Sequence, residues 1–369
     1  MRESSERSRS RFVVTDGARI TGRMICDGHL VAVDDKRLCR PAEAFPTNER
    51  AAEIDEALLA LQTPVSYASS DALRVTTLDG VRGPERRLHS WSITARVAHL
   101  QIGWSGSGNG LAKFARIGEE IREIRDALRS ARAVHYERAL DVKNTAAVLS
   151  PQAAAVLLHE SVGHLIEADP VRPSFVGQRI AAECITASDD PTCDGAPGSY
   201  EYDDENVRAM GPTLAVREGV VVAELQSTAT AARAHTLPTG NARAASVWQQ
   251  PLPRVSNLIC ASGEAEIDDL IDRCGNGIYI HRVANGINNG VRVQADIVLA
   301  ERIARGRRTG QLFTGGRIDE TVSVALRVVE FGREPRFNGN AMCGKSGQLL
   351  FNVGTCAPPL RFAALRIAA

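Results

Sequence analysis

The chain has 369 residues, 44% of them hydrophobic, which is enough for a sizeable core in one large or two medium domains. Its 44 basic and 44 acidic residues cancel, which excludes a global field that would recruit nucleic acid or an anionic membrane. No apolar run approaches the ~20 residues of a membrane span, no secretion signal is seen, and the eight cysteines form no tight framework, so a cytoplasmic protein with reduced thiols is expected.

Residues 1–11, rich in Arg, Ser and Glu, read as a disordered leader. Residues 12–33 read as short strands broken at Asp16-Gly17 and Asp27-Gly28. A helix is predicted over 48–61, with Ile54, Leu58, Leu59 and Leu61 on its apolar face and Thr63-Pro64 as its stop. Residues 73–77 and 87–104 read as antiparallel strands joined around Asp79-Gly80. The glycine-rich loop 105–110 lacks the lysine and the strand-to-helix setting of a phosphate cradle. Leu111, Phe114, Ile117, Ile121, Ile124 and Leu128 then fall at helical spacing against a Glu/Arg face, predicting a helix over 111–134. Together, residues 12–136 read as a small N-terminal α/β domain.

Ser150-Pro151 is a cap residue followed by a first-turn proline, and from Ala153 to Ile166 the only breaker is Gly163, so a helix is predicted here. It carries His159-Glu160-Ser161-Val162-Gly163-His164. In the familiar zinc-peptidase motif two histidines stand four residues apart, so roughly 400° of rotation returns both rings to one face, with the intervening Glu as general base. Here the spacing is five residues, which on an ideal helix would turn the rings about 140° apart. A π-bulge would absorb the extra residue, and Gly163 is the residue expected to tolerate it. Without that bulge the histidines read as hydrogen-bonded core residues. Glu167 and Asp169 follow closely and would either orient a histidine or cap a turn.

Beyond Asp169 the chain reads mostly as strand and turn: a hairpin over 214–223, a short helix over 226–235, a helix over 264–273 stopped by Gly275, and strands at 278–280, 291–298, 310–314 and 321–330. His235 reads as a surface residue or a substrate contact. The expected fold class is α+β, with residues 137–369 forming a larger antiparallel β-rich domain that carries the helix of the two histidines.

Two histidines do not complete a tetrahedral site. The other candidates are His29, His89, His99, His135, His235 and His281 and the cysteines, among which Cys343 stands out in Ala341-Met342-Cys343-Gly344-Lys345-Ser346-Gly347-Gln348. A lysine two residues on would favour the thiolate, although a cysteine in such a turn is more often a small buried hydrophobe.

These two stretches resemble the TldD/PmbA metallopeptidase family. The resemblance also runs through Val148-Leu149-Ser150-Pro151, Tyr202-Asp203-Asp204-Glu205, Gly211-Pro212-Thr213, Gly240-Asn241-Ala242-Arg243, Pro253-Arg254-Val255-Ser256-Asn257 and Gly277-Ile278-Tyr279-Ile280, covering about residues 70 to 369. It implies a zinc peptidase, iron being a possible substitute, with His159, His164 and Cys343 as ligands and Glu160 as catalytic base. It also implies hydrolysis of unstructured peptides or of a peptidic natural-product precursor, and a dimer with an identical chain or a PmbA-like subunit, with neither nucleic acid nor membrane as partner. PmbA-like subunits lack the histidine motif, so the resemblance is to the catalytic member. The family usually carries a fuller N-terminal domain, so a shortened one is expected here. From a different class, the chain would be a metal-stabilised peptide-binding scaffold without turnover.

Overall fold

Alternating apolar and polar residues along Val65–Leu78 and Arg86–Val97 give one face of a sheet its core, with Tyr67, Trp91 and Ile93 turned inward. In the computed structural model, which describes residues 2–33, 36–39, 50–98, 100–107, 111–130, 144–338 and 342–368, this sheet has seven strands. Their order is Lys36–Cys39, Ile20–Val33, Arg2–Thr15, Val65–Leu78, Arg86–Val97 and Leu100–Ser107, with Val81–Arg82 paired to Val65–Leu78, and every pairing is antiparallel. Two helices, Ala51–Ala60 and Leu111–Ser130, cover the apolar face. Ile54, Leu58, Ile117 and Ile121 are buried there, and the Phe114 ring meets Tyr67 and Trp91 edge-on at 5.9 and 5.7 Å.

Three expectations for this region need correction. The supposed disordered leader is most of the strand Arg2–Thr15, held between Ile20–Val33 and Val65–Leu78. Composition misleads here because a central strand is secured through its backbone on both edges, which polar side chains permit, and Glu6 finds Arg74 at 2.7 Å. Asp27-Gly28 does not break its strand, since Asp27 and Gly28 stay in register with Arg9 and Ser8. Residues 87–104 form two strands, turned at Ala98, whose φ is +53°. The predicted turn at Asp79-Gly80 is present, with φ of +49° and +84°. The end of the helix predicted over 111–134 lies outside the described residues, as do 108–110 of the glycine-rich loop.

The rest of the chain builds two further large sheets. One runs Val328–Phe331, Leu360–Leu365, Thr145–Leu149, Gly277–Asn288, Arg292–Ala304, Arg317–Thr321 and Ile367–Ala368, with Arg307–Phe313 on Arg292–Ala304. The other runs Val220–Val221, Thr213–Arg217, Ala187–Asp189, Asn257–Cys260, Gly354–Ala357 and Arg336–Phe337. Two pairings are parallel, Thr145–Leu149 with Gly277–Asn288 and Asn257–Cys260 with Gly354–Ala357, and the others are antiparallel. The helix that begins at Pro151 lies between the sheets, packed against Gly277–Asn288 on one side and Gly354–Ala357 on the other. Short helices Thr228–Ala234 and Ile267–Cys274 complete an α+β fold. Within the predicted strand 321–330, residues Val322–Arg327 form a 3-10 turn instead. No described helix is long and apolar enough to cross a membrane.

A polar seam joins the N-terminal sheet to this body. Asp204 accepts from Arg74 Nη1 at 3.0 Å and from Arg86 Nη1 at 2.6 Å, and Arg86 also donates to the Asp203 carbonyl. Farther along, Arg282 reaches Glu120 and the Gly103 carbonyl while stacking over Trp104.

Candidate metal centre

The site helix is fixed before its chemistry begins. Ser150 accepts from Ala153 N–H as the N-cap and donates its own hydroxyl to the His281 carbonyl. The Gln152 amide exchanges two hydrogen bonds with the backbone of Val283. Pro151–Leu158 is regular α-helix, His159–Gly163 is a π turn, and His164–Ile166 returns to α. The widened turn that the five-residue spacing demands is therefore present, and the two imidazoles meet edge-on with centroids 5.0 Å apart. Gly163 does not supply the freedom expected of it: its φ of −54° and ψ of −51° are ordinary helical values. The turn is supported from outside, where the Asn288 amide donates to the Glu160 carbonyl at 2.5 Å.

Cys343 arrives on a hairpin of Cys343–Lys345 with Gln348–Leu350, turned at Ser346 and Gly347, which have φ of +50° and +74°. Its carbonyl accepts from Arg254 Nη2 at 2.7 Å, and its sulfur stands 3.5 Å from His164 Nε2. One donor atom from each of His159, His164 and Cys343 lies within 4.8 Å of the others, the only such grouping of metal-type ligands among the described residues. Two ligands of a tetrahedral zinc, one nitrogen and one sulfur, sit roughly 3.6 Å apart. His159 Nδ1 stands 3.2 Å from the Thr355 hydroxyl, while its Nε2 is buried with no hydrogen-bond partner. A buried polar atom left this way is costly unless something else meets it. Burial pushes the Cys343 thiol up, but the neighbouring imidazoles, His159 foremost, outweigh burial and hold it well below the usual thiol range. An N, N, S⁻ donor set fits a first-row transition ion rather than a hard, oxygen-seeking cation.

Two carboxylates flank the cluster and differ in kind. Glu160 Oε2 lies 3.7 Å from His164 Nε2, and burial raises its carboxyl above the ordinary range despite the pull of the two histidines. Glu167 is fully buried yet saturated: it accepts from His164 Nδ1 at 2.9 Å, Lys345 Nζ at 2.8 Å and Val255 N–H at 3.0 Å. Burial opposes its charge, but His164, Lys345 and Arg254 outweigh that and hold its carboxyl well below the usual range. Lys345 therefore serves Glu167 rather than the thiol, and the two imidazoles take the thiolate-favouring role that the sequence suggested for it. Asp169 is not brought to the histidines; its carboxylate accepts from Val171 and Arg172 N–H and caps a turn.

Of the remaining histidines, His89 pairs with Asp71, His281 with Glu301, and the exposed His235 ends the helix Thr228–Ala234 at φ +53°. His99 and His135 lie outside the described residues. Sequence reasoning missed the roles of Thr355, Asn288 and Gly286 on two distant strands, and of Arg254 in the loop that follows Leu252–Pro253. Gly286 bears directly on Glu160, because a Cβ there would stand 2.8 Å from Glu160 Oε1.

A helix bearing His-Glu-x-x-x-His across a π turn, with a cysteine delivered beside both rings, defines a candidate metal-binding protein of the α+β class. The family model described as PmbA/TldA metallopeptidase C-terminal domain matches residues 143–369, and the chain belongs to that family. Among similar proteins, a metalloprotease of Methanothermobacter thermautotrophicus is 35% identical over 225 residues, covering 58% of this chain and 48% of the relative. A metalloprotease of Methanocaldococcus jannaschii is 32% identical over 209 residues, covering 54% and 46%. The chain thus spans about half the length of the curated relatives it matches. Over its whole length its fold resembles that of TldE from Thermococcus kodakarensis, with a TM-score of 0.70, 14% identity and 96% of that chain covered. A Thermotoga maritima protein titled as a modulator of a DNA gyrase gives the same score and identity, with 95% of that chain covered.

Proposed function

We propose that the chain is a metallopeptidase in which His159, His164 and Cys343 hold a zinc ion and Glu160 is the general base. The observation that carries this reading is the buried, unpartnered Nε2 of His159, grouped with His164 and a thiolate-prone Cys343. Zinc, or iron, which the same donors accept, would supply Lewis acidity, polarising the scissile carbonyl and lowering the pKa of the attacking water. Glu160 takes the water's proton and returns it to the leaving amine, and burial makes its carboxylate a stronger base than one in solvent. Glu167 holds the His164 ring by its Nδ1–H, leaving Nε2 toward the cluster. Thr355 does the same for His159.

Unstructured peptides, or a peptidic natural-product precursor, are the proposed substrates, and a dimer with an identical or PmbA-like chain is the proposed assembly; both rest on family analogy. The proposed organisation is an N-terminal unit to residue 136 and a catalytic unit from 137, with separate apolar cores on the two sides. A cytoplasmic setting is supported by the six cysteines whose side chains are described, all free thiols.

The test separates metal from turnover. Cys343→Ser should lose both bound zinc and peptide cleavage, whereas Glu160→Gln should keep the metal and lose cleavage by about 10²–10⁴-fold. Metal analysis with a fluorogenic unstructured peptide reads both quantities. Undiminished cleavage by Glu160→Gln removes Glu160 as the base, and a wild-type chain that binds zinc but cleaves nothing is the scaffold alternative.

A further inference from the structure

A cavity of about 330 Å³ opens between the N-terminal sheet and the C-terminal body, at the small end of the range of ligand pockets. Ala68, Leu88 and Trp91 of the sheet form one wall, and Leu349 and Phe351, beside the Cys343 hairpin, form another. Leu350, also in the cavity wall, pairs in register with Cys343, although no residue of the metal cluster itself lines the cavity.

Arg243 lines this cavity. Its residue is only 7% exposed, yet its guanidinium makes a single hydrogen bond, from Nη1 to the Val255 carbonyl at 3.1 Å, and otherwise rests over the Tyr200 ring at 5.0 Å. No described carboxylate pairs with it, because those nearby are committed elsewhere. Asp204 is shared by Arg74, Arg86 and Ala244 N–H, and Glu6 is held by Arg74. Asp203 accepts from three backbone N–H groups, those of Glu205, Val207 and Ala242. Asp189 is taken by Ser256 and Asn241. Asp204 and Asp189 ease the charge of this guanidinium without bonding it, which leaves donors unused, and the cavity is where those donors can be met. A planar fork of this kind suits a carboxylate, which it can engage with two parallel hydrogen bonds.

We propose that the cavity is a subsite for an apolar residue bearing a carboxylate, with Arg243 as its anion anchor. In a peptide the carboxylate comes either from the chain end or from an acidic side chain. The identity of the ligand as a peptide rests on the peptidase reading; the carboxylate requirement does not, and it is tested by binding without turnover.

The probes are N-acetyl-phenylalanine, its amide, and the capped dipeptide N-acetyl-Glu-Phe-amide, titrated into the zinc-loaded chain by calorimetry, with Trp91 fluorescence as a second readout. The free acid should bind at least about tenfold more tightly than the amide. Arg243→Gln should erase that difference while leaving amide binding in place, and Ala68→Trp, which fills the cavity from the sheet side, should abolish binding of both. Tight binding of the dipeptide alone, lost in Arg243→Gln, assigns the acidic side chain as the source; tight binding of N-acetyl-phenylalanine alone assigns the chain end. Equal affinity of acid and amide with no tighter binding of the dipeptide overturns the proposal, and so does an acid preference that survives in Ala68→Trp, which would put the carboxylate on the metal. If Arg243→Gln does not fold, the acid–amide comparison in the wild type and Ala68→Trp still decides. A carboxylate preference in a chain that cleaves no peptide would sink the peptidase reading and leave the subsite standing.

Discussion

Two buried polar clusters, one at the seam between the sheets and one at the helix of the two histidines, each hold a saturated carboxylate, but only the second also holds an undersatisfied one. At the seam, Asp204 is surrounded by donors: two guanidinium groups on one oxygen and the Ala244 N–H on the other. Glu167 beside the histidines is saturated in the same manner. Glu160, earlier on the site helix, has only an imidazole at 3.7 Å as a partner for its carboxylate. Saturated acids hold surfaces together, while the undersatisfied acid keeps basicity that a substrate or a water can draw on. The difference lies in the supply of neighbours rather than in depth, since all three residues are at most 7% exposed.

The sharpest test of that distinction removes each saturated acid in turn. Asp204→Asn leaves Arg74 and Arg86 with reduced compensation and should cost about 3–5 kcal/mol of stability, read as a lowered urea midpoint. Zinc affinity should change little, because Asp204 makes no bond to the metal cluster. Glu167→Gln should cost a similar amount, since Lys345 and His164 lose their shared acceptor, and should also weaken zinc binding by about 10–100-fold. Zinc affinity measured against a competing chelator reads this second effect. Equal zinc affinity in the two variants would erase the functional difference between seam and site.

A pH series carries the seam half of the comparison further. Burial works against the charge of Asp204, but Arg86 and Arg74 outweigh it, so its folded carboxyl lies below the ordinary range. The stabilisation is therefore fully present above the unfolded pKa of about 3.9 and is lost as the pH falls below that value toward the folded one. The wild-type urea midpoint should drop steeply from about pH 4 downward, and Asp204→Asn should show a shallower drop over the same window. Parallel curves would mean that Asp204 does not titrate with folding.

How much of this was legible in the sequence follows from the same contrast. The site helix could be read because its signals are local: a Ser-Pro start, and a five-residue histidine spacing that only a widened turn reconciles with one face. Cys343 took on meaning through family resemblance, since nothing in a Gly-flanked turn says that it folds back beside a helix 179 positions earlier. Lys345 does share a strand face with Cys343, two residues on, but its longer side chain reaches past the thiol to the buried Glu167 carboxylate, and no local window of sequence places that partner there. The strand Arg2–Thr15 was missed for a related reason: its partners begin at Ile20 and Val65, and a polar strand carries no apolar periodicity of its own. Asn288, Thr355 and Arg254 act on the site from three separate strands or loops, which no window of sequence brings together.

Smaller effects distinguish two glycines near the histidine pair. At Gly286 a Cβ would stand 2.8 Å from both Glu160 Oε1 and Val156 Cγ1. The carboxylate is the end of a flexible chain and can give way, whereas the branched Val156 side chain on the helix cannot swing aside as easily. Gly286→Ala should therefore reduce cleavage by roughly tenfold, on the scale expected for a misplaced general base, and lower the melting temperature through the Val156 contact, while bound zinc stays constant. A variant that cleaves normally would show that Glu160 tolerates displacement and is not the positioned base.

Gly163 is the milder case, although it lies inside the π turn itself. Its backbone already sits in the ordinary helical region, and a Cβ there would meet Val255 Cγ2 at 3.4 Å, His159 Nδ1 at 3.5 Å and Leu258 Cδ2 at 3.6 Å, all normal contact distances. Alanine also loses less conformational entropy than glycine on entering a helix, a gain of about 0.5–1 kcal/mol that offsets any slight crowding. Gly163→Ala should thus leave stability within about 1 kcal/mol of the wild type by this offset, with zinc content unchanged. A large loss of zinc in that variant would show that the widened turn depends on the missing side chain at Gly163, and that the support from Asn288 is not sufficient to hold it.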